Sequence, residues 1–185
     1  MTTSNLKLQT SLSRKTPERI FLIGMMGAGK STKGKKIAHL LGFSFIDLDE
    51  EIEKYLDKNI AKIFEEDGEE YFRKTESLVL QLMKNEKVVI ATGGGTPCYY
   101  NNMQYIKNSG ISIYLRTKSG MILQRISRNP EKRPSLKGLN NAEMKVFIEE
   151  KIAEREPFYL QSDLVFDIPE TTVKTIVKSV LSIQI

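Results

Sequence analysis

The chain has 185 residues, 40% of them apolar and 28% charged, which is the size and composition of a single globular domain with a real core. It holds no run of about 18 apolar residues, so a membrane-spanning helix is excluded on length. Its one cysteine, Cys98, excludes an internal disulfide and a cysteine-held zinc, and fits a reducing compartment.

With 28 basic and 23 acidic residues the formal charge is +5. Such an excess marks either a nucleic-acid surface or arginines gathered for small anions. Arg116, Arg125, Arg128, Lys132, Arg133 and Lys137 fall close together, but no RNA-binding or helix-turn-helix signature accompanies them. Phosphates of small ligands explain the charge better.

Residues 1–17 contain no acid and no apolar core of the secretory type. The stretch is short for a transit peptide and reads as a flexible tail, leaving residues 18–185 as one domain. Residues 19–24 (RIFLIG) form an apolar, strand-sized run ending in glycine, and residues 31–41 have helical spacing up to Gly42. Residues 43–48 (FSFIDL) read as a second strand. Residues 50–84 are helical, punctuated near Asn59 and at Asp67-Gly68. A third strand spans 87–92 and runs into Gly93-Gly94-Gly95; helix 99–108 and strand 111–116 follow.

Residues 119–127 suggest a short helix, and 129–140 break the pattern with two prolines and a glycine. Residues 142–159 are helical apart from the end near Pro157, 164–167 form a fifth strand, and 171–183 a closing helix. Strands alternate with helices, which predicts an α/β fold: a parallel sheet covered on both faces, with ligands at the carboxyl ends of its strands.

Gly24-Met-Met-Gly-Ala-Gly29-Lys30-Ser31 fits G-x-x-x-x-G-K-[ST], directly after a strand and directly before a helix. That context confirms a P-loop: backbone N–H groups wrap nucleotide phosphates, Lys30 reaches the β- and γ-phosphates, and the Ser31 hydroxyl can join an Mg²⁺ shell. P-loops also serve switches, motors and helicases. No N-K-x-D guanine-reading motif is present, and the chain is too short for a motor or helicase core. A small kinase with a second pocket for an acceptor remains.

Asp47 and Asp49 end the second strand. At a spacing of two in extended chain their carboxylates point the same way, one toward Mg²⁺ and one toward an acceptor hydroxyl; alternatively they cap the next helix. Arg73 and Glu76 share a helix face. They make either a rigid fork for a carboxylate or a surface ion pair of little energy. Gly93–Gly95 let backbone approach a ligand, or form a flexible turn. Arg133, in the polar segment 129–140, suits a closing lid. His39 and Cys98 stand without partners for metal or nucleophilic chemistry.

In this order, G-x-x-x-x-G-K-S, D-L-D, F-R-x-x-E, G-G-G, R-P and R-x-P-x-Y resemble shikimate kinase from about Arg19 to Asp167. The resemblance implies a three-layer α/β/α fold of P-loop kinase type, with a five-stranded parallel sheet in order 2-3-1-4-5. It implies ATP-dependent phosphorylation of the 3-hydroxyl of shikimate on the route to chorismate. Gly27, Ala28, Gly29, Lys30, Ser31 and Thr32 would hold the ATP phosphates, with Mg²⁺ on Ser31 and Asp47. Asp49 would bind the acceptor hydroxyl as base or orienter. Arg73 and Arg155 would clamp the carboxylate while Gly93, Gly94 and Gly95 donate backbone contacts. Arg133 would meet the transferring phosphate, and Arg128 would stack on adenine.

The chain departs from the family's pattern at Gln161-Ser162, at Ser135 after the lid proline, and around Pro169. A cytoplasmic monomer is expected, with shikimate and ATP as its partners and neither nucleic acid nor membrane among them. The rivals are a kinase for gluconate or a nucleoside monophosphate, and a noncatalytic nucleotide-binding regulator. The carboxylate-binding arginines disfavour a nucleotide acceptor, and retention of Lys30, Asp49 and Arg133 disfavours the regulator.

Overall fold

Strand β1 (Arg19–Ile23) is fully buried from Ile20 onward, as expected of a central strand covered on both faces. Its neighbours are β3 (Val88–Ala91) and β4 (Ile111–Thr117), and the edges are β2 (Ser44–Asp47) and β5 (Leu164–Ile168). All pairings are parallel and the order is β2-β3-β1-β4-β5, the expected topology. A computed structural model describes residues 18–128, 136 and 138–183 of the chain. The expected tail at 1–17 and residues 129–135 and 137 of the expected lid, Arg133 among them, lie outside the described residues.

Among the described residues the helices are α1 (Lys30–Leu41), α2 (Leu48–Leu56), α3 (Ile60–Glu66), α4 (Gly68–Leu82), α5 (Asn102–Ser109), α6 (Ser119–Ile126), α7 (Asn141–Tyr159) and α8 (Val173–Ser182). None is long and apolar enough to cross a membrane. One sheet face packs Phe21, Ile23, Ile90 and Tyr114 against Leu48, Ile52, Leu80, Ile106 and Tyr159 of the α2–α5 and α7 side. The other sets Ile20, Leu22, Val89 and Ile113 against Ile37 of α1 and Ile176 of α8. Each fully buried aliphatic side chain is worth about 1.5–3 kcal/mol, so the α/β/α sandwich is held by both faces.

The expected breaks at Asn59 and Gly68 are real. Asn59 caps α3 by accepting from the Lys62 amide, and Gly68 opens α4 at φ 82°. Three expectations shift. β2 ends at Asp47, because Leu48 turns into α2 and is fully buried there. The stretch after Gly95 is a 3-10 turn (Thr96–Cys98), so the next helix starts only at Asn102. Helix α7 runs through Pro157 to Tyr159. Proline removes one bond to the Ala153 carbonyl, but both residues are exposed and water can take its place.

The segment 129–140 reads in the sequence as polar and suited to a closing lid. Where it is described, Leu136 is buried beside Met25, Ile122 and Met144, and Leu139 packs on the same cluster. Asn140 then starts α7 with a capping box to Glu143, so this end of the segment is anchored.

Candidate active site

The loops after β1, β2 and β3 converge at the carboxyl ends of three adjacent strands. Gly29 sits at φ 94°, a left-handed conformation that suits glycine, and caps α1 without any side-chain acceptor. The positive end of α1 therefore opens onto the loop of Gly24–Gly29. Lys30 is buried, and its Nζ donates to the carbonyls of Gly24 (2.7 Å) and Met25 (3.1 Å), folded back over the loop it serves. Arg125 of α6 donates to the Gly27 carbonyl at 2.9 Å. Burial first, and then the charges of Arg125 and Lys36, hold the Lys33 pKa below the usual lysine value.

Ser31 donates to Asp47 Oδ2 at 2.6 Å, while Asp47 Oδ1 accepts from the Asp49 amide at 3.2 Å. Asp47 thus does both jobs the sequence offered, capping α2 and facing Ser31. Asp49 lies in the first turn of α2, not in extended chain, so the shared direction inferred from strand geometry does not hold. Asp49 still reaches the site, because a Cβ on Gly93 would lie 3.1 Å from its Oδ1. A hydroxyl and a carboxylate of hard oxygen character fit Mg²⁺, which binds through one or two carboxylates with phosphates and waters. Among the described residues no group of three or more His, Cys, Asp or Glu could form an all-protein cage.

Arg73 and Glu76 of α4 are buried, with Nη1 and Oε2 2.7 Å apart, so the surface-pair alternative is overturned. Phe72 and Tyr99 lie against the guanidinium at 4.9 and 4.8 Å. Burial pulls the Arg73 pKa down, but Glu76, together with Glu69 and Tyr99, outweighs it and the net shift is upward; this arginine stays charged.

A Cβ on Gly95 would come within 2.7 Å of the Arg73 guanidinium, and one on Gly94 within 3.2 Å of the Met26 amide and 3.4 Å of Arg155 Nη1. Arg155 of α7 is buried, and its Nε has no hydrogen-bond partner. Two arginines from two helices therefore meet the glycine segment beside the P-loop. An orphaned buried donor on one of them is a feature a bound carboxylate would satisfy. Tyr159 donates its hydroxyl to the Gly94 carbonyl, and burial raises its pKa.

Residues 26–184 match the family model for shikimate kinase. The chain belongs to the shikimate kinase family. It is 43% identical over 151 residues to the shikimate kinase of Parabacteroides distasonis, covering 81% of this chain and 87% of that one. The solved shikimate kinase of Bacteroides thetaiotaomicron superposes with a TM-score of 0.79 at 37% identity, covering 89% and 94% of the two chains. The Acinetobacter baumannii shikimate kinase, solved in complex with shikimate, gives 0.79 at 35% identity over 90% and 92%.

Set against this kinase fold, the expected site residues from the P-loop, Asp47, Asp49, Arg73, Gly93–Gly95 and Arg155 do assemble. Arg128 is exposed beyond the last turn of α6, whereas Arg125, one turn earlier, touches the P-loop. Sequence reasoning counted Arg125 only within a basic run. Tyr159 was visible in R-x-P-x-Y but received no role. A groove of about 710 Å³ between α7, β4 and β5 is separate from the site. Its two cations are paired within it, Arg116 with Asp167 (2.6 Å) and Lys118 with Glu170 (3.5 Å), and the Tyr114 hydroxyl donates to Glu156 at 3.3 Å.

Proposed function

We propose that the chain transfers the γ-phosphoryl group of ATP to the 3-hydroxyl of shikimate, giving shikimate 3-phosphate and ADP on the way to chorismate and the aromatic amino acids. The observation that carries this is the convergence of buried Arg73 and Arg155 on Gly93–Gly95, next to Asp49 and the P-loop. A small acid held by two arginine forks presents a ring hydroxyl to Asp49.

Residues 27–32 bind the phosphates, with Lys30 leaving the Gly24 and Met25 carbonyls for the β- and γ-phosphates. Ser31 and Asp47 would hold Mg²⁺, which when bound neutralises charge on the phosphate oxygens. Asp49 accepts or orients the acceptor proton. Arg133 meets the phosphoryl group in flight. Arg125 is better placed than Arg128 for the nucleotide, since it already touches Gly27. The nucleotide rival leaves two carboxylate-sized forks without a partner, while gluconate, itself a carboxylate, is disfavoured by the combination of Asp47-Leu48-Asp49 with Gly93-Gly94-Gly95. The regulator reading leaves the Asp49 approach to Gly93 without a use. A cytoplasmic monomer without nucleic-acid or membrane partners is the setting we assign, supported by the single cysteine and the absence of a nucleic-acid-binding signature.

Coupled ADP release tests the acceptor. Shikimate should sustain turnover with ATP and Mg²⁺, while gluconate and nucleoside monophosphates should stay at the background rate. Preference for either of those over shikimate would reverse the assignment.

A further inference from the structure

Asn102 is fully buried, yet no step above uses it. It opens α5, and its amide is committed in both directions. Nδ2 donates to the Thr96 carbonyl at 2.9 Å, and Oδ1 accepts from the Ser77 hydroxyl at 2.7 Å. Thr96 donates in turn through Oγ1 to Glu76 Oε1 at 2.6 Å, and Glu76 uses Oε2 for Arg73. Glu76 and Ser77 are neighbours on α4, so these bonds close a ring of four buried residues: Ser77, Asn102, Thr96 and Glu76.

The ring's geometry reaches the substrate side. Thr96 directly follows Gly93–Gly95 and is gripped at both its carbonyl and its hydroxyl. The link from Thr96 to Asn102 passes through Tyr100 and Asn101 at φ 50° and 56°, conformations that persist for non-glycine residues only where the surroundings hold them. Gln81 Nε2 donates to Ser77 Oγ at 3.2 Å, which directs the Ser77 proton to Asn102 and fixes the amide's orientation. An amide is the side chain that offers an acceptor to that hydroxyl and a donor to the carbonyl at once.

We propose that Asn102 is a positioning residue for substrate binding. By tying α4 and α5 to Thr96 it holds the glycine segment and the Glu76–Arg73 pair in carboxylate-receiving geometry. This rests on the reading that Arg73 takes the carboxylate of shikimate. Among the described residues the ring's side-chain hydrogen bonds run within α4, α5 and the turn after Gly95, and the P-loop is built instead on β1 and α1, so the effect should fall on one ligand.

The test is calorimetric titration of the whole protein and its Asn102→Leu and Ser77→Ala variants with shikimate and, separately, with ADP. Asn102→Leu should weaken shikimate binding about tenfold, the scale of a lost buried hydrogen bond, and Ser77→Ala about threefold in the same direction. ADP affinity should stay within about twofold in both variants. Unchanged shikimate affinity, or equal weakening for ADP, would overturn the positioning role. If Asn102→Leu does not fold, Ser77→Ala decides by the same split between ligands. Wild-type protein that bound ADP but no shikimate would overturn the acceptor reading and this role with it, whereas normal wild-type binding with unaltered variants overturns the role alone.

Discussion

Glu76 holds Arg73 from beneath at 2.7 Å while Gly95 lies so close above that a methyl group would sit 2.7 Å from the guanidinium carbon. The arginine is clamped by a fully buried carboxylate and roofed by backbone. A buried pair of this kind gives little net stability, but it fixes a fork in one orientation before any ligand arrives.

Gly95→Ala is therefore expected to displace the guanidinium. The KM for shikimate should rise about tenfold or more while kcat changes less, the pattern of lost ground-state binding. Steady-state kinetics with each substrate varied in turn checks this. A normal KM for shikimate would mean that Arg73 is not part of the acceptor pocket.

Asp49→Asn is expected to keep ADP affinity and lose turnover by about a hundredfold, the scale of lost general-base help. Asp49 owes its place to the first turn of α2, whose N-terminus Asp47 caps; an amide at position 49 leaves that cap in place. Near-normal turnover would remove Asp49 from the chemistry.

The fold was largely legible because its signals are local. Strands buried on both faces must be continuous apolar runs, and the P-loop announces itself through its glycines, Lys30 and its flanking elements. Arg73 and Glu76 were legible as a helical pair, but their burial was not, since it depends on Thr96 and the glycine segment 20 residues away. The relative direction of Asp47 and Asp49 was misjudged because residues 43–48 read as one apolar strand; Leu48 is buried from a helix instead. The ring through Asn102 left no trace at all, because Ser77 and Asn102 are 25 residues apart. Arg125 could not be chosen over Arg128 without knowing where α6 ends.

Ser31→Ala removes the hydroxyl that faces Asp47 at 2.6 Å. The Mg²⁺ concentration giving half-maximal activity should rise about tenfold or more, the scale seen when a metal site loses an oriented partner. A titration of initial rate against Mg²⁺ measures it, and an unchanged half-saturation would remove Ser31 from the metal shell.

Cys98, on the turn after the glycines, has its thiol pushed up to about 11 from an ordinary 9.0, chiefly by burial and against the opposing charges of Arg155 and Arg73. A raised thiol pKa means that the preference for the neutral form is intact below pH 9 and is lost as pH rises through 11. At neutral pH the thiolate fraction is about a hundredfold below that of an ordinary thiol. Iodoacetamide labelling should be slow at pH 8 and still climbing past pH 10. A rate that levels off near pH 9 would show an ordinary, accessible thiol.

The central claim is that this site places the γ-phosphoryl group on one particular hydroxyl of shikimate. Incubation with ATP, Mg²⁺ and shikimate, followed by proton-coupled phosphorus NMR of the products, reads this directly. The account predicts a single new phosphate monoester coupled to the proton on the carbon bearing the 3-hydroxyl, formed in equal amount with ADP. ADP without an ester, or an ester at another hydroxyl, would contradict it.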